Sequence, residues 1–329
     1  MGNGTLTKHR LGWLGTGRMG FSLAARLLGR GGDLAVYNRT RAKAEPLASL
    51  GAQIVDSASA LAERDIVFTI VGGDSDLLEV VTGPGGLLSR SGRAPKILID
   101  SSTVSGDASA KVRQATAKAG CAFLAAPMSG NPKVVKAGRL SLVVSGPREA
   151  YDEALPYLEA LGEGVSYVGD GELSRIVKIC HNVFLGVIAQ SLAEITVLAQ
   201  RAGVPRHAFL DFMNKSVLGS TFTRYKTPAY VNLEFTPTFT PVLLRKDLDL
   251  GLSAARELEV PMPVAALVRE IIQALIGNGY VDCDFAALLA LQAKAAHMSI
   301  EPENVPLSDG LEPRPERPAE RIKRSPDVR

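Results

Sequence analysis

Residues 10–31 read RLGWLGTGRMGFSLAARLLGRG, and their character changes halfway along. RLGWLG (10–15) is a short apolar run of strand length. MGFSLAARLLGRG (19–31) repeats its apolar residues at helical spacing and stops at glycine. The junction holds Gly15, Gly17 and Gly20 in the pattern Gly-x-Gly-x-x-Gly, with Thr16, Arg18 and Met19 between them. A strand that enters a helix through such a turn presents backbone N–H groups and a helix N-terminus to a phosphate. Gly15 permits the tight turn, Gly17 lets the backbone approach a pyrophosphate, and Gly20 allows close helix–strand packing. A glycine pattern alone is weak. The strand before it and the helix after it give it weight.

Outward from this unit the alternation continues. DLAVYN (33–38), AQIVD (52–56), DIVFTIV (65–71), KILIDSS (96–102), AFLAAP (122–127), LSLVVSG (140–146) and VSYVGD (165–170) read as further strands. RAKAEPLASLG (41–51) and DASAKVRQATAKAG (107–120) read as helices between them. Short buried strands separated by helices predict an α/β fold with a doubly wound, mostly parallel sheet over residues 1–171. From residue 172 to 202 the sequence reads as one long helix closed by Gly203 and Pro205, and the remainder to residue 300 reads as helical. LGSTFTRYKTPAYVNLEFTPTFT (218–240) reads as a loop. Residues 172–300 are therefore expected to form an interdomain helix and an all-α domain. Residues 301–329 carry six prolines, seven acids and six bases with few apolar residues, and are expected to remain disordered.

Composition narrows the function classes. At 329 residues, 46% hydrophobic and with a net charge of +3, the chain can fill two cores and gives no reason to expect nucleic acid or a membrane surface as partner. Cys121, Cys180 and Cys283 lie far apart, which argues against disulfides and against a metal site. MGNGTLTKHR (1–10) lacks an apolar core and is not a secretory signal. Each apolar stretch carries charge, so none is expected to span a bilayer, and a cytoplasmic location is expected.

The end of the second strand bears on the cofactor. An acid there would accept from a ribose 2′-hydroxyl. The sequence has Asn38, Arg39, Thr40 and Arg41 instead. Arg39 suits a 2′-phosphate, with Asn38 and Thr40 as hydrogen-bond donors, so NADP(H) is expected over NAD(H).

Several motifs now stand in order: GTGRMG (15–20), DSST (100–103), AAPMSGN (125–131) followed by KAGRLSLVVSG, KICHN (178–182), and RKDLDL (245–250). With them the chain resembles the β-hydroxyacid dehydrogenase family, the group of 3-hydroxyisobutyrate dehydrogenase and the glyoxylate/succinic semialdehyde reductases. The resemblance covers residues 11 to about 290. It implies a Rossmann domain, a long interdomain helix and a helical domain, associating as a homodimer or homotetramer. It also implies hydride transfer between a nicotinamide and a small 3-hydroxy acid or semialdehyde.

Lys178 and Asn182 share a helix face, being four apart, and a lysine inside an apolar run can have its pKa lowered by burial. His181 is three from Lys178, so geometry alone does not exclude it. The resemblance selects Lys178 as acid–base catalyst and Asn182 as its partner, and leaves His181 a secondary role at most. It implies that Ser129 and the backbone N–H groups of Gly130 and Asn131 hold the substrate carboxylate. Thr103 is implied to face nicotinamide and substrate, Val71 to lie beside the cofactor, and Lys246 to reach the cofactor end of the cleft.

The sequence also departs from the family pattern. Asn131 replaces a glycine, Ala125 replaces an aspartate, and VGGDSD (71–76) replaces a Leu-Pro element. Lys133 and Lys136 are extra cations, read as a solvated face or as holders of a second anionic group. Two alternatives remain. Imine reductases share the architecture, although the lysine counts against them. A non-catalytic dehydrogenase-like oligomerisation or nucleotide-sensing module would be expected to lose the lysine.

Overall fold

The computed structural model of the chain describes residue 6 and residues 8–311. Most of the expected lead-in (1–5 and 7) and residues 312–329 of the expected tail lie outside the described residues.

The chain opens with β1 (Arg10–Leu14), α1 (Arg18–Gly29) and β2 (Asp33–Tyr37), as the first stretch predicts. Residues 41–51 then form two 3-10 turns rather than an α-helix, with Pro46 early in the second and Gly51 ending it at φ +97. β3 (Gln53–Ile54), β4 (Ile66–Thr69), α2 (Asp74–Thr82), β5 (Ile97–Asp100), α3 (Gly106–Lys118) and β6 (Ala122–Ala125) follow. The six strands are parallel in the order β3-β2-β1-β4-β5-β6. The order reverses between β1 and β4. A crevice therefore opens at the carboxyl ends of those two strands, beside the glycine turn.

β7 (Met128–Ser129), α4 (Pro132–Lys136), β8 (Ser141–Val144), α5 (Arg148–Leu161) and β9 (Gly164–Tyr167) come next. The last two expected strands do not extend the large sheet. They form a separate sheet, β7-β8-β9, in which β7 pairs antiparallel with β8. One isolated bridge, Ala125–Ser145, joins the two sheets.

The helical half comprises α6 (Leu173–Arg201), α7 (Arg206–Lys215), α8 (Thr221–Asn232), α9 (Pro241–Glu257), α10 (Pro263–Gly277) and α11 (Leu288–Ala295). α8 corrects the loop expectation for residues 218–240. Ser220 and Thr223 form a reciprocal capping box, which starts a helix in a segment rich in β-formers. Packing holds it there: Tyr230 is fully buried, and its hydroxyl donates to the Ala189 carbonyl at 3.0 Å. α6 corrects a second expectation, because by length and composition it is apolar enough to cross a membrane. Here it is the central packing element. One side faces β8, and α7, α9, α10 and α11 pack around the rest of it.

The expected tail is also corrected at its start, since residues 301–311 pack on the helical half. Glu303 accepts from the backbone N–H groups of Arg206 and His207 at the start of α7, where an anion is favoured. Val305 and Leu307 join the apolar cluster, and Arg139 donates to the Gly310 carbonyl. Lys133 lies 3.6 Å from Asp309, so one of the extra cations has an acidic neighbour in this segment.

A buried ion pair ties α8 to the turn before α11. Lys226 Nζ donates to Asp284 Oδ1 at 2.5 Å, and the Thr238 hydroxyl and Thr238 N–H donate to Oδ2. Burial alone would push the Asp284 carboxyl up, but the Lys226 ammonium and these donors hold it below its usual range. Asp284→Ala strands a buried ammonium and is expected to cost about 3–5 kcal/mol in urea unfolding, while Asp284→Leu with Lys226→Met recovers much of that loss. A single substitution costing under about 1 kcal/mol would show that the pair does not hold this region.

Candidate active site

Two groups of residues converge on the space between the domains. The first is the glycine turn. Gly15 has φ +95, and a Cβ on it would lie 2.1 Å from the Ile70 carbonyl oxygen. A Cβ on Gly20 would lie 2.1 Å from the Gly15 oxygen, so both glycines are required by close approach. Above Gly17 the space is open to 4 Å. Helix α1 has no side-chain cap and no acid in its first turn, which leaves its N-terminal N–H groups at Arg18 and Met19 facing that space. The Thr16 hydroxyl is buried without a partner among the described residues. These features fit a dinucleotide pyrophosphate. An orphaned buried hydroxyl, uncapped N–H groups and an open approach all meet at one turn.

Asn38 is used within the fold. Its Oδ1 accepts from the Thr16 N–H at 2.8 Å and its amide donates to the Thr40 carbonyl at 2.8 Å, tying the end of β2 to the glycine turn. Arg39 is 69% exposed and donates to Asp76 at 2.9 Å, with Glu79 at 3.5 Å. Thr40 is exposed beside it. Val71 packs against Gly15, and its N–H donates to the Ser102 hydroxyl at 2.9 Å. The unusual acids after Val71 are thus engaged: Asp76 with Arg39, and Asp74 with the Ser105 N–H and hydroxyl.

The second group forms a cleft of about 320 Å³ between β7, α6 and the helical half. Ser129, Gly130, Asn131, Lys178, His181 and Asn182 line it on one side, and Phe222, Tyr225, Phe239 and Phe285 on the other. Burial lowers the Lys178 ammonium pKa to about 8, with the Asp247 carboxylate opposing the shift. Asn182 is buried, and its amide donates to Asp247 Oδ2 at 2.6 Å. His181 bridges Ser129 Oγ and Asn182 Oδ1, each at 2.9 Å. The Asn131 side chain is used as the cap of α4, accepting from the Val134 N–H at 3.0 Å, and Pro132 follows at the first helical position.

Thr103 and Lys246 sit elsewhere. Thr103 is exposed on the loop after β5, outside the lining of this cleft. Lys246 is 48% exposed on α9, 3.5 Å from Asp247. Its ammonium adds, with Arg175, to the Ser105 hydrogen bonds in holding the Asp74 carboxyl below its usual range.

Sequence reasoning missed the residues that support this site. Arg175 donates to Asp100 at 2.7 Å, to the Ser102 carbonyl at 3.0 Å and to Glu172 at 2.8 Å. Asp247 anchors Asn182, and Arg139 lines the cleft. The available signal was a charged residue inside a run whose neighbours are buried, since such a charge needs a partner.

Comparisons with known proteins bear on the family and the fold. Residues 10–169 match the family model described as the NAD binding domain of 6-phosphogluconate dehydrogenase. Residues 173–292 match that described as NAD-binding of NADP-dependent 3-hydroxyisobutyrate dehydrogenase. The chain is 31% identical to a 3-hydroxyisobutyrate dehydrogenase of Pseudomonas aeruginosa, over 79% of this chain and 90% of that one. It is 28% identical to the chloroplastic glyoxylate/succinic semialdehyde reductase 2 of Arabidopsis thaliana, over 86% of this chain and 79% of that one. The solved structure of a Mycobacterium tuberculosis 3-hydroxyisobutyrate dehydrogenase with L-serine superposes with a TM-score of 0.74 at 25% identity, covering 87% of this chain and 99% of that one. With the glycine turn, the Lys178 cleft and these matches together, the chain belongs to the β-hydroxyacid dehydrogenase family, as an NAD(P)-dependent oxidoreductase of the hydroxyacid dehydrogenase type.

Proposed function

We propose that the protein interconverts a small 3-hydroxy acid and the matching semialdehyde, with Lys178 as the acid–base group and NADP(H) as the preferred cofactor. The observation that carries the reading is Lys178 itself: an ammonium brought to about 8 by burial, in a cleft that also holds Ser129 and the N–H groups of Gly130 and Asn131. A bound nicotinamide would supply or accept the hydride at its C4. In reduction, Lys178 Nζ gives a proton to the carbonyl oxygen as negative charge develops there; in oxidation the neutral amine takes it back. The main-chain donors at Gly130 and Asn131 suit a carboxylate. Asn182 acts through Asp247 and His181, which its amide holds on either side.

The cofactor preference rests on the end of β2, where Asn38 stands in place of an acid and Arg39 is exposed. A 2′-phosphate would compete with Asp76 and Glu79 for that guanidinium. A second copy of the chain is the proposed partner, in a homodimer or homotetramer, with a cytoplasmic location. Its support is the set of large apolar side chains exposed on the helical half, among them Phe184 and Leu198 of α6, Phe212 of α7 and Leu267 of α10.

Turnover of succinic semialdehyde or methylmalonate semialdehyde with NADPH tests the reading, and Lys178→Met is expected to lower kcat by about 10²–10⁴-fold. Imine reduction that survives this substitution would replace it with the imine reductase reading. Because reduction needs the ammonium, kcat for reduction should fall as pH rises through about 8, and kcat for oxidation should rise across the same window. Opposite slopes would exclude Lys178 as the titrating group. Arg39→Ala is expected to cost about tenfold in kcat/KM with NADPH and little with NADH. Equal use of both cofactors by the unmodified protein would remove the preference.

A further inference from the structure

His181 departs from the bare requirement for a lysine and an asparagine on one helix face, and its hydrogen bonds have a polarity that chemistry fixes. The chain of contacts starts at Asp247, which is buried and whose carboxylate only accepts. Asn182 approaches it at 2.6 Å, so the amide nitrogen faces Asp247 and the amide oxygen faces away. That oxygen only accepts, so His181 Nδ1, 2.9 Å from it, carries a hydrogen. A neutral imidazole has one N–H, which leaves a lone pair on Nε2. Ser129 Oγ lies 2.9 Å from Nε2 and therefore donates its only hydrogen there.

In this state Ser129 offers no donor to the cleft. A carboxylate also only accepts, so Ser129 cannot bind one. Turning the hydroxyl toward the cleft would set its oxygen lone pairs against the Nε2 lone pair. One proton taken from solvent onto Nε2 removes that conflict. The imidazolium then donates from Nε2 to Ser129 Oγ, and Ser129 donates to the carboxylate.

We infer that His181 is a positioning residue whose protonation turns Ser129 into a donor, so that binding of a carboxylate substrate is coupled to uptake of one proton. The inference rests on the reading of this cleft as a hydroxy-acid site. The surrounding charges agree with a switch of this kind. Burial, then the Lys178 ammonium on the same helix, hold the free imidazole below its ordinary pKa, while its bond to Asn182 works the other way. Asp247 and Lys246 stand behind Asn182 from α9. Tyr225 of α8 and Arg139, before β8, line the same cleft. A bound carboxylate adds the negative charge that favours the imidazolium. The sign follows: affinity is highest at low pH and is lost as pH rises through the pKa of His181 in the complex.

The first test needs no turnover. With only four histidines in the chain, the imidazole 15N resonances can be assigned by comparison with His181→Asn. The free protein is expected to show His181 as the Nδ1–H tautomer, and 3-hydroxypropionate to shift it toward the imidazolium. An Nε2–H tautomer, or a ring unmoved by a ligand shown to bind by calorimetry, would overturn the inference.

The second test is kinetic. KM for succinic semialdehyde is expected to rise about tenfold as pH rises through the titration of His181 in the complex, the loss of roughly one charge-assisted hydrogen bond. It should stay flat in His181→Asn, and for the analogue with an amide in place of the carboxylate. Equal pH dependence in both proteins would overturn the inference. No hydride transfer to any substrate, with the tautomer as expected, would instead count against the proposed activity alone.

Discussion

The placement of the whole cleft depends on one buried guanidinium. Arg175 sits in the first turn of α6 with its side chain 8% exposed, and Asp100 at the end of β5 is fully buried beneath it. Arg175 reaches the Asp100 carboxylate, the Ser102 carbonyl, the Ser109 hydroxyl and Glu172. Asp100 in turn accepts from Thr69 of β4 at 2.7 Å. Two strands of the parallel sheet, the loop after β5, the start of α3 and the start of α6 are thereby joined through one side chain. A planar group with five donors suits this task, whereas an ammonium could not reach so many partners in fixed directions. Lys178 lies three residues further along α6, on the same side of the helix. Whatever fixes Arg175 also sets where Lys178 stands relative to the ends of β4 and β5.

A second set of contacts secures the same joint, its inner part through neutral hydrogen bonds. The Ser174 hydroxyl donates to the Ala125 carbonyl at 2.9 Å, and the Ser145 hydroxyl donates to the Gly171 carbonyl at 2.8 Å. Ala125 is where the family pattern has an aspartate, and here it contributes its backbone. Arg113 closes the outer side by donating to Glu172 and to the Gly171 carbonyl. The helix that looks like a membrane span in isolation is therefore anchored at its polar first turn, and its apolar length serves as the core of the helical half.

Much of this was legible in the sequence where the signal is local. The glycine turn, the strand–helix alternation and the length of α6 follow from residue spacing, while Lys178, Asn182 and Ser129 are singled out by the family resemblance that the short motifs carry. What was not legible lies between segments distant in sequence. LSLVVSG and VSYVGD are strands as expected, but nothing in them says that β8 pairs with Met128–Ser129 rather than with β6. Asp100 and Asp247 lie within the motifs, but what they do is set by their partners Arg175 and Asn182, which lie elsewhere in the chain. Asn131 is the reverse case. Asparagine followed by proline is a helix-start signal, yet the resemblance drew attention to the missing glycine instead. In α8 the reciprocal cap pairs Ser220 with Thr223, where the sequence signature of a capping box has Glu or Gln, and burial of the helix decided the outcome.

The polar chain behind Lys178 explains how a lysine in an apolar helix is brought near neutrality without being neutralised outright. Burial alone lowers its pKa, and a directly paired carboxylate would restore it. Asp247 is near enough to oppose the shift, but one of its oxygens is committed to Asn182 and the other faces Lys246. Asn182 thereby shares out the charge that would otherwise bind Lys178 as an ion pair. With a pKa of about 8, Lys178 is mostly protonated near neutral pH and still readily gives the proton up. The proposed acid–base role of Lys178, donating in one direction and accepting in the other, needs this intermediate position, and here it comes from three helical residues, Lys178, Asn182 and Asp247, rather than from any single contact.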